Sequence, residues 1–176
     1  MDNQNTPPGF NTFTIAAIWI ALLAGASFFF DDVLERINNP NQAITTIFNQ
    51  AGEQEIVLKQ NRQGHYIANG EINGQTVQFL LDTGATHVAI PEHIANKLKL
   101  KKGTQHQTIT ANGTSSSFMT QLDSVSLGNL EMKNVPASIS KGMQFDKILL
   151  GMSFLKHLKI TQQGKLLTLS IPEQNQ

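Results

Sequence analysis

The stretch VQFLLDTGATHVAIP, residues 77–91, places one carboxylate inside a strongly apolar run. A strand of apolar residues leads into Asp82, and a second strand with β-branched residues begins after Gly84. No Lys or Arg lies near Asp82 in the sequence, and burial of an unpaired carboxylate is costly. Asp82 therefore either caps a turn through its own backbone amides or meets a partner that lies elsewhere in space.

The composition narrows the possible chemistry. The chain of 176 residues has 13 basic residues, 13 acidic residues and no cysteine. Balanced charge gives no support to nucleic acid as a partner, and the lysine-rich stretch 97–102 is interpreted as a solvated helix end. A chain without cysteine has no disulfide, no thiolate catalysis and no Cys-ligated zinc. The five histidines form neither an HExxH motif nor an i,i+4 pair, so neither a metal nor a cofactor is predicted.

An uncharged N-terminal segment is the candidate membrane anchor. Residues 13–30, FTIAAIWIALLAGASFFF, form an almost wholly apolar run after a short tail of residues 1–12. As a helix this run is about 27 Å long, close to the bilayer core thickness of about 30 Å. A cleaved signal peptide is the alternative, with the small residues 24–26 as its cleavage site, but no Lys or Arg precedes the run. We predict a retained transmembrane helix, with the following domain outside the cytoplasm.

Two further segments follow the anchor. Residues 31–54 are rich in Asn and Gln and are interpreted as a linker or stalk, with a short helix over residues 42–48 as an alternative. Residues 55–176 contain short alternating and β-branched stretches separated by turn signals. The Asn-Gly dipeptides at 73–74 and 112–113 are typical of hairpin turns. Many short strands with little helix predict a barrel-like or sandwich β domain.

A second motif with glycine lies downstream of Asp82. The sequence ILLG, residues 148–151, is an apolar strand that ends in glycine before the short helical stretch MSFLKHL. Pro91 begins another short helix, in a first-turn position that suits proline. The chain therefore contains, in order, a strand with an acidic turn, a hairpin, and an apolar strand that ends in glycine.

In this order of motifs the chain resembles the retropepsin-like aspartic proteases (clan AA), and more narrowly their bacterial membrane-anchored members with an Asp-Thr-Gly-Ala motif. The stretch FLLDTGAT matches the catalytic strand and loop, TANGTSSSF lies where the family has its flap hairpin, and ILLGMSFL matches the second family motif. The resemblance implies an all-β fold: a retropepsin-like closed β-barrel with one short C-terminal helix, preceded by the N-terminal transmembrane helix.

The resemblance also implies roles for named residues, with Asp82 as the catalytic residue. The implied supports of the active-site loop are Thr83, Gly84, Ala85 and Thr86, the flap residues are Thr110, Ala111, Asn112 and Gly113, and the second motif contributes Leu149, Leu150 and Gly151. The family uses two catalytic aspartates, whereas this sequence has one Asp-Thr-Gly. The implied partner is therefore Asp82 of a second, identical chain, related by a two-fold axis.

The function implied by the resemblance is that of a membrane-anchored aspartic endopeptidase. It would act on polypeptides as a homodimer in a bacterial inner membrane, with the protease domain on the periplasmic side. Ser-His-Asp catalysis is disfavoured because the sequence has no G-x-S-x-G motif. The alternative from another class is a catalytically silent retropepsin-like module that dimerises or binds peptides at the membrane.

Overall fold

The structure, a computed structural model, describes residues 11–48, 52, 54–110 and 113–172. Contacts divide the chain into two units, with the boundary between Ile37 and Asn38. Helix α1, Thr12–Asn38, lies in the first unit except for its last residue, and it is long and apolar enough to cross a membrane by its length and composition. This helix extends eight residues beyond the predicted span of residues 13–30. An ion pair between Arg36 and Asp32, one turn apart, lies in this extension.

The second unit consists mostly of β-strands. Within the described residues its strands are β1 Thr46–Phe48, β2 Gln54–Lys59, β3 Ile67–Ile72, β4 Gln75–Leu81, β5 Val88–Pro91, β6 Gln105–Thr110, β7 Gly113–Leu127, β8 Leu130–Ser140, β9 Ile148–Leu150, β10 Lys159–Gln163 and β11 Leu166–Ser170. Helix α2, Glu92–Lys97, follows β5, and helix α3, Met152–Leu155, follows β9. The short helix near the C-terminus is thus confirmed, and so is a helix close to Pro91. Pro91 itself does not lie in the first turn as predicted, because it is the last residue of β5, in an extended conformation, and α2 begins at Glu92.

The strands form a closed barrel and a smaller sheet. The larger sheet has the order β3-β4-β9-β5-β8-β7-β6. It closes on itself because β3 also pairs with β7, where Glu71 faces Ser126 and Ile72 faces Val125. A four-stranded sheet in the order β1-β2-β11-β10 lies beside it. The predicted closed β-barrel is therefore confirmed.

Near β3, the backbone comes very close to an aromatic ring inside the barrel. Phe79 of β4 is fully buried and lies opposite Ala68 of β3, two residues before Gly70. A Cβ added at Gly70 would lie 2.4 Å from the carbonyl oxygen of Ser126 and 2.7 Å from the Phe79 ring. Glycine is therefore the residue that lets β3, β7 and this ring meet. The other large and fully buried side chains are Phe154, Ile56, Leu58, Ile72, Ile90, Leu122, Leu127, Leu130, Ile139, Ile148 and Leu150.

Asparagine side chains attach the segment after α1 to the β domain. Asn41 is buried, and its Nδ2 donates to the carbonyl oxygens of Lys59 and Ile67 at 2.9 and 2.7 Å. Its Oδ1 accepts from the backbone N–H of Lys59 at 2.7 Å. Asn39 is also buried and donates to the side chain of Asn69 at 2.8 Å. Asn41 thus satisfies backbone groups at the ends of β2 and β3 that would otherwise lack partners.

The region considered as a spacer or short helix therefore has a different local structure. Residues 46–48 form β1 and pair with β2 through Thr46↔Ile56, Ile47↔Glu55 and Phe48↔Gln54. The helical alternative for residues 42–48 is wrong. A strand is favoured because the neighbouring edge of β2 offers backbone partners, which propensity within the segment does not reveal.

We predict that Asn41→Ala destabilises the β domain by about 3 kcal/mol, because three hydrogen bonds to buried backbone groups are lost. Thermal unfolding of the full chain in detergent, followed by the β-sheet signal in circular dichroism, measures this change. Asn96→Ala is the matched control, since Asn96 is exposed on α2. Equal melting temperatures for the two variants would contradict the role given to Asn41.

Candidate active site

The loop that carries Asp82 joins β4 to β5 and crosses the end of β9. β4 leads into the loop and β5 leaves it, but β9 lies between them in the sheet. β4 runs parallel to β9, with Leu80 opposite Leu149 and Leu81 opposite Leu150. β5 pairs with β9 through Ala89 and Leu149. The strand of the second motif therefore lies directly beneath the loop of the first.

Backbone hydrogen bonds fix Asp82 at the end of β9. Its N–H donates to the carbonyl oxygen of Leu150 at 3.2 Å, and its carbonyl oxygen accepts from Ala85 at 3.2 Å. The carboxylate Oδ1 accepts from the N–H of Gly84 at 2.9 Å. Asp82 is half-buried in the single chain. In the described part of the chain no Lys, Arg or His forms an ion pair with it.

Gly151 is required where the loop passes over the second motif. A Cβ added at Gly151 would lie 2.3 Å from the carbonyl oxygen of His87 and 2.6 Å from that of Ala85. Both obstacles are backbone atoms, which cannot move away without displacing the loop. Leu150, just before this glycine, is fully buried, while Leu149 is half-buried. The second motif thus supplies a buried strand and a position without a side chain.

Helix α3 holds the far end of the loop. The N–H groups of Met152 and Ser153 donate to the carbonyl oxygens of Ala85 and Thr86 at 2.8 and 2.9 Å. The hydroxyl of Ser153 accepts from the buried N–H of Val88 at 3.0 Å. Sequence reasoning missed Ser153. Its only signal was a small hydroxyl residue two positions after Gly151, at the start of a helix.

The outer side of the loop is open to solvent. Thr83, Gly84 and Thr86 are exposed in the single chain, whereas Ala85 is half-buried. The two sequence motifs thus lie together in one site, which contains the five residues from Asp82 to Thr86 and the three from Leu149 to Gly151. Among the described residues no group of three or more His, Asp or Glu lies close enough to hold a metal ion.

The predicted flap lies in the β6–β7 hairpin. β6 and β7 pair in antiparallel register, from Gln105 opposite Phe118 to Thr110 opposite Gly113. Gly113 has φ 104°, which favours glycine at the start of β7. The two other predicted flap residues, Ala111 and Asn112, lie outside the described residues. The hairpin is confirmed, and its function as a flap stays a prediction.

Comparison with known proteins places the chain in a family. A family model described as "gag-polyprotein putative aspartyl protease" matches residues 68–157, about half of the chain, including both motifs. The chain belongs to this aspartyl protease family. Its region of match begins in β3 and ends just after α3, so it contains the Asp82 loop and the Gly151 crossing.

A solved structure agrees with this assignment, and two curated proteins are similar to the chain in sequence. A retropepsin-like aspartic protease from Rickettsia conorii is 35% identical, with a TM-score of 0.55, and the match covers 65% of this chain and 98% of that one. This likeness confirms the predicted retropepsin-like fold. An uncharacterised Sinorhizobium protein is 31% identical over 121 residues, and an uncharacterised Rickettsia prowazekii protein is 34% identical over 110 residues. The matches cover 67% and 60% of this chain and 52% and 46% of those relatives.

The chain thus spans about half the length of the curated relatives it matches. The comparisons establish the retropepsin-like aspartic protease family. The narrower subfamily with a membrane anchor and an Asp-Thr-Gly-Ala motif stays a prediction.

We predict that Gly151→Ala disrupts the loop and lowers the melting temperature of the β domain by 10 °C or more, an effect of about 3 kcal/mol or greater. The physical reason is the clash of the new Cβ with two backbone carbonyls of the loop. Gly25→Ala is the control, because a Cβ added at Gly25 meets nothing within 4 Å. If Gly151→Ala unfolds at the same temperature as the unmodified chain, the crossing is not as close as described.

Proposed function

We propose that this chain is a membrane-anchored aspartic endopeptidase whose active site forms across a homodimer. The observation that carries the proposal is the fixed, half-buried Asp82 carboxylate on a loop whose neighbouring residues Thr83 and Gly84 are exposed. The sequence contains one Asp-Thr-Gly, so a second carboxylate has to come from another copy. A two-fold axis beside this loop would bring two Asp82 side chains together.

The proposed chemistry needs two carboxylates with different protonation. Two close carboxylates share one proton, since both cannot readily ionise together. The ionised Asp82 takes a proton from a water held between the two groups, and that water attacks the peptide carbonyl carbon. The protonated Asp82 of the other copy donates its hydrogen bond to the carbonyl oxygen as negative charge develops there. A proton then passes to the leaving amine, and the peptide bond breaks.

The other predicted site residues support this chemistry. Thr83 would bond across the two-fold axis and hold the two loops together, and Gly84 would let substrate backbone approach closely. Ala85 and Thr86 take part through their carbonyl oxygens, which accept from α3. The hairpin with Thr110 and the following residues to 113 would close over an extended peptide, which binds as an added strand.

Helix α1 is the proposed anchor. We propose that residues 13–30 cross a bacterial inner membrane, after a tail of residues 1–12, with the β domain on the periplasmic side. Confinement to the membrane raises the local concentration of a second copy, so a weak dimer interface suffices. The alternative function, a catalytically silent dimerisation or peptide-binding module, makes the same use of the anchor but needs no dyad.

The variant Asp82→Asn distinguishes the two functions. We expect it to lower peptide cleavage by the full chain at least about a thousandfold, because the general base is lost, while leaving the dimer intact. Cleavage of a mixed peptide library, followed by mass spectrometry, and crosslinking of the dimer measure these two properties. Asp123→Asn is the control, since Asp123 is an exposed carboxylate on β7. Dimers of the unmodified chain that cleave no library peptide would favour the binding module.

The pH profile of cleavage provides an independent test. We expect the highest rate at mildly acidic pH, because one carboxylate of the pair must hold a proton while the other is ionised. The rate should fall on both sides of this optimum. Initial rates on one cleaved peptide, measured from acidic to alkaline pH, give the profile. A rate that still rises above about pH 8 would exclude the shared-proton mechanism.

A further inference from the structure

Two lysines flank one aromatic ring at the base of the β6–β7 hairpin. Nζ of Lys102 lies 5.4 Å from the centroid of the Phe118 ring, and Nζ of Lys141 lies 5.2 Å from it. Ammonium groups at such distances are attracted to the face of an aromatic ring. Phe118 is itself held in the sheet, opposite Gln105 on β6 and Ile139 on β8. We call these three residues, Lys102, Phe118 and Lys141, the basic patch.

Positive charge is in excess around the basic patch. Residues 92–102 and 141–147 together contain six lysines and two acidic residues, in a chain whose total charge is balanced. Both acidic residues already have partners. Glu92 Oε1 lies 2.6 Å from Lys102 Nζ, and Asp146 Oδ1 lies 2.8 Å from His93 Nε2. The hydrogen bond from Lys102 holds the pKa of Glu92 below its usual value, and the charge of Lys141 acts in the same direction.

The segment that contains Lys141 links β8 to β9, the strand beneath Asp82, and contacts β7 of the β6–β7 hairpin on the way. The N–H of Lys141 donates to the carbonyl oxygen of Ser116 at 3.3 Å. A Cβ added at Gly142 would lie 2.5 Å from the hydroxyl of Ser115, so this segment packs tightly on β7. Residues 141–147 then lead into β9, whose last residue, Leu150, accepts from the N–H of Asp82. The basic patch therefore lies where the base of the β6–β7 hairpin meets the segment that leads into β9.

The length of β9 indicates which residues of a substrate could reach the segment that leads into it. β9 begins directly after Lys147, three residues before Leu150, which corresponds to about 10 Å in a strand. An extended peptide bound over Asp82 advances about 3.3 Å per residue. If the peptide runs over Asp82 in line with β9, its side chains three or four residues from the scissile bond lie level with Lys147, where the segment 141–147 ends. A two-fold symmetric dimer would present one basic patch at each end of the peptide.

We propose that the basic patch selects polypeptide substrates with acidic side chains three or four residues from the scissile bond. This inference rests on the proposed function. Glutamate or aspartate in the substrate would contact Lys141 and the two ammonium N–H donors of Lys102 that Glu92 does not accept. The Phe118 ring holds both ammonium groups in place. The effect is a preference in kcat/KM that weakens as salt concentration rises.

The test compares two peptide pools with the full chain in nanodiscs of zwitterionic lipid. Both pools have the same randomised apolar centre, and they carry either Glu or Gln at the third and fourth residues on each side. We expect kcat/KM to be about fivefold higher for the Glu pool at low salt. The double variant Lys102→Gln with Lys141→Gln should bring this ratio close to one. Lys133→Gln with Lys165→Gln, an equal charge change at exposed lysines elsewhere, should leave it unchanged.

The kcat/KM ratio of the two pools distinguishes a failure of this inference from a failure of the proposed function. Cleavage of both pools at equal rates overturns the inference and leaves the protease intact. If neither pool is cleaved, the proposed function fails, and fluorescence anisotropy of the labelled pools with Asp82→Asn still tests the patch. Tighter binding of the Glu pool, lost on changing Lys102 and Lys141, then supports the inference, and equal binding overturns it.

A membrane surface is the competing partner for clustered lysines. If lipid headgroups bind the patch, Lys102 and Lys141 are protected from an amine-reactive label in nanodiscs with anionic lipid. In zwitterionic nanodiscs the kcat/KM ratio of the Glu pool to the Gln pool is then near one. That combination assigns the patch to lipid headgroups and overturns the inference. Equal labelling in both lipids, together with a preference for the Glu pool, supports it.

Discussion

The crossing of two backbones at Gly151 is the constraint on which the site depends. The carbonyl oxygens of Ala85 and His87 come so close to the Cα of Gly151 that no side chain fits there. This contact is possible because β9 enters the sheet between β4 and β5. The insertion brings the end of β9 beneath the Asp82 loop, and the N–H of Asp82 takes its partner from β9. The crossing at Gly151 therefore supports both the strand order of the sheet and the position of the Asp82 loop.

The loop is held mostly by backbone groups, which explains how few of its side chains are constrained by packing. Ala85 and Thr86 are bonded through their carbonyl oxygens, so their side chains are not needed for these contacts. The exception within the loop is Asp82, whose carboxylate accepts from the N–H of Gly84. Outside the loop, Gly151 has no room for a side chain, and the hydroxyl of Ser153 accepts from Val88. Among the described residues the exposed Thr83 side chain forms no such bond, consistent with the contact to a second copy that we propose for it.

Local patterns in the sequence predicted the elements that are determined locally. Asn73 and Gly74 both have positive φ, as the Asn-Gly hairpin signal requires, and the apolar end of β4 leads into Asp82 as expected. The apolar strand with a terminal glycine also indicated the second half of the site. These features are fixed by backbone preferences and by the alternation of side chains across a strand.

Contacts between distant segments could not be predicted in this way. The role of Asn41 depends on unpaired backbone groups of Lys59 and Ile67, which lie 18 and 26 residues away. Ser153 and Val88 are 65 residues apart, and their bond exists only once α3 has packed under the loop. The lysines of the stretch 97–102 are exposed at the end of α2, as interpreted from the sequence. The contact of Lys102 with Phe118 was not predicted, because these residues are distant in sequence. Tertiary packing rather than local propensity determines the contacts of Asn41, Ser153 and Lys102.

The half-exposed Asp82 carboxylate would have a consequence for kinetics under the proposed function. If each copy supplies one Asp82 and α1 anchors it in a membrane, sparse copies meet by lateral diffusion, and the cleavage rate rises with the square of their surface density. Once most copies are paired, the rate becomes linear in density. A modest change in the amount of protein would then change its output disproportionately, so synthesis and turnover of the chain would themselves regulate proteolysis.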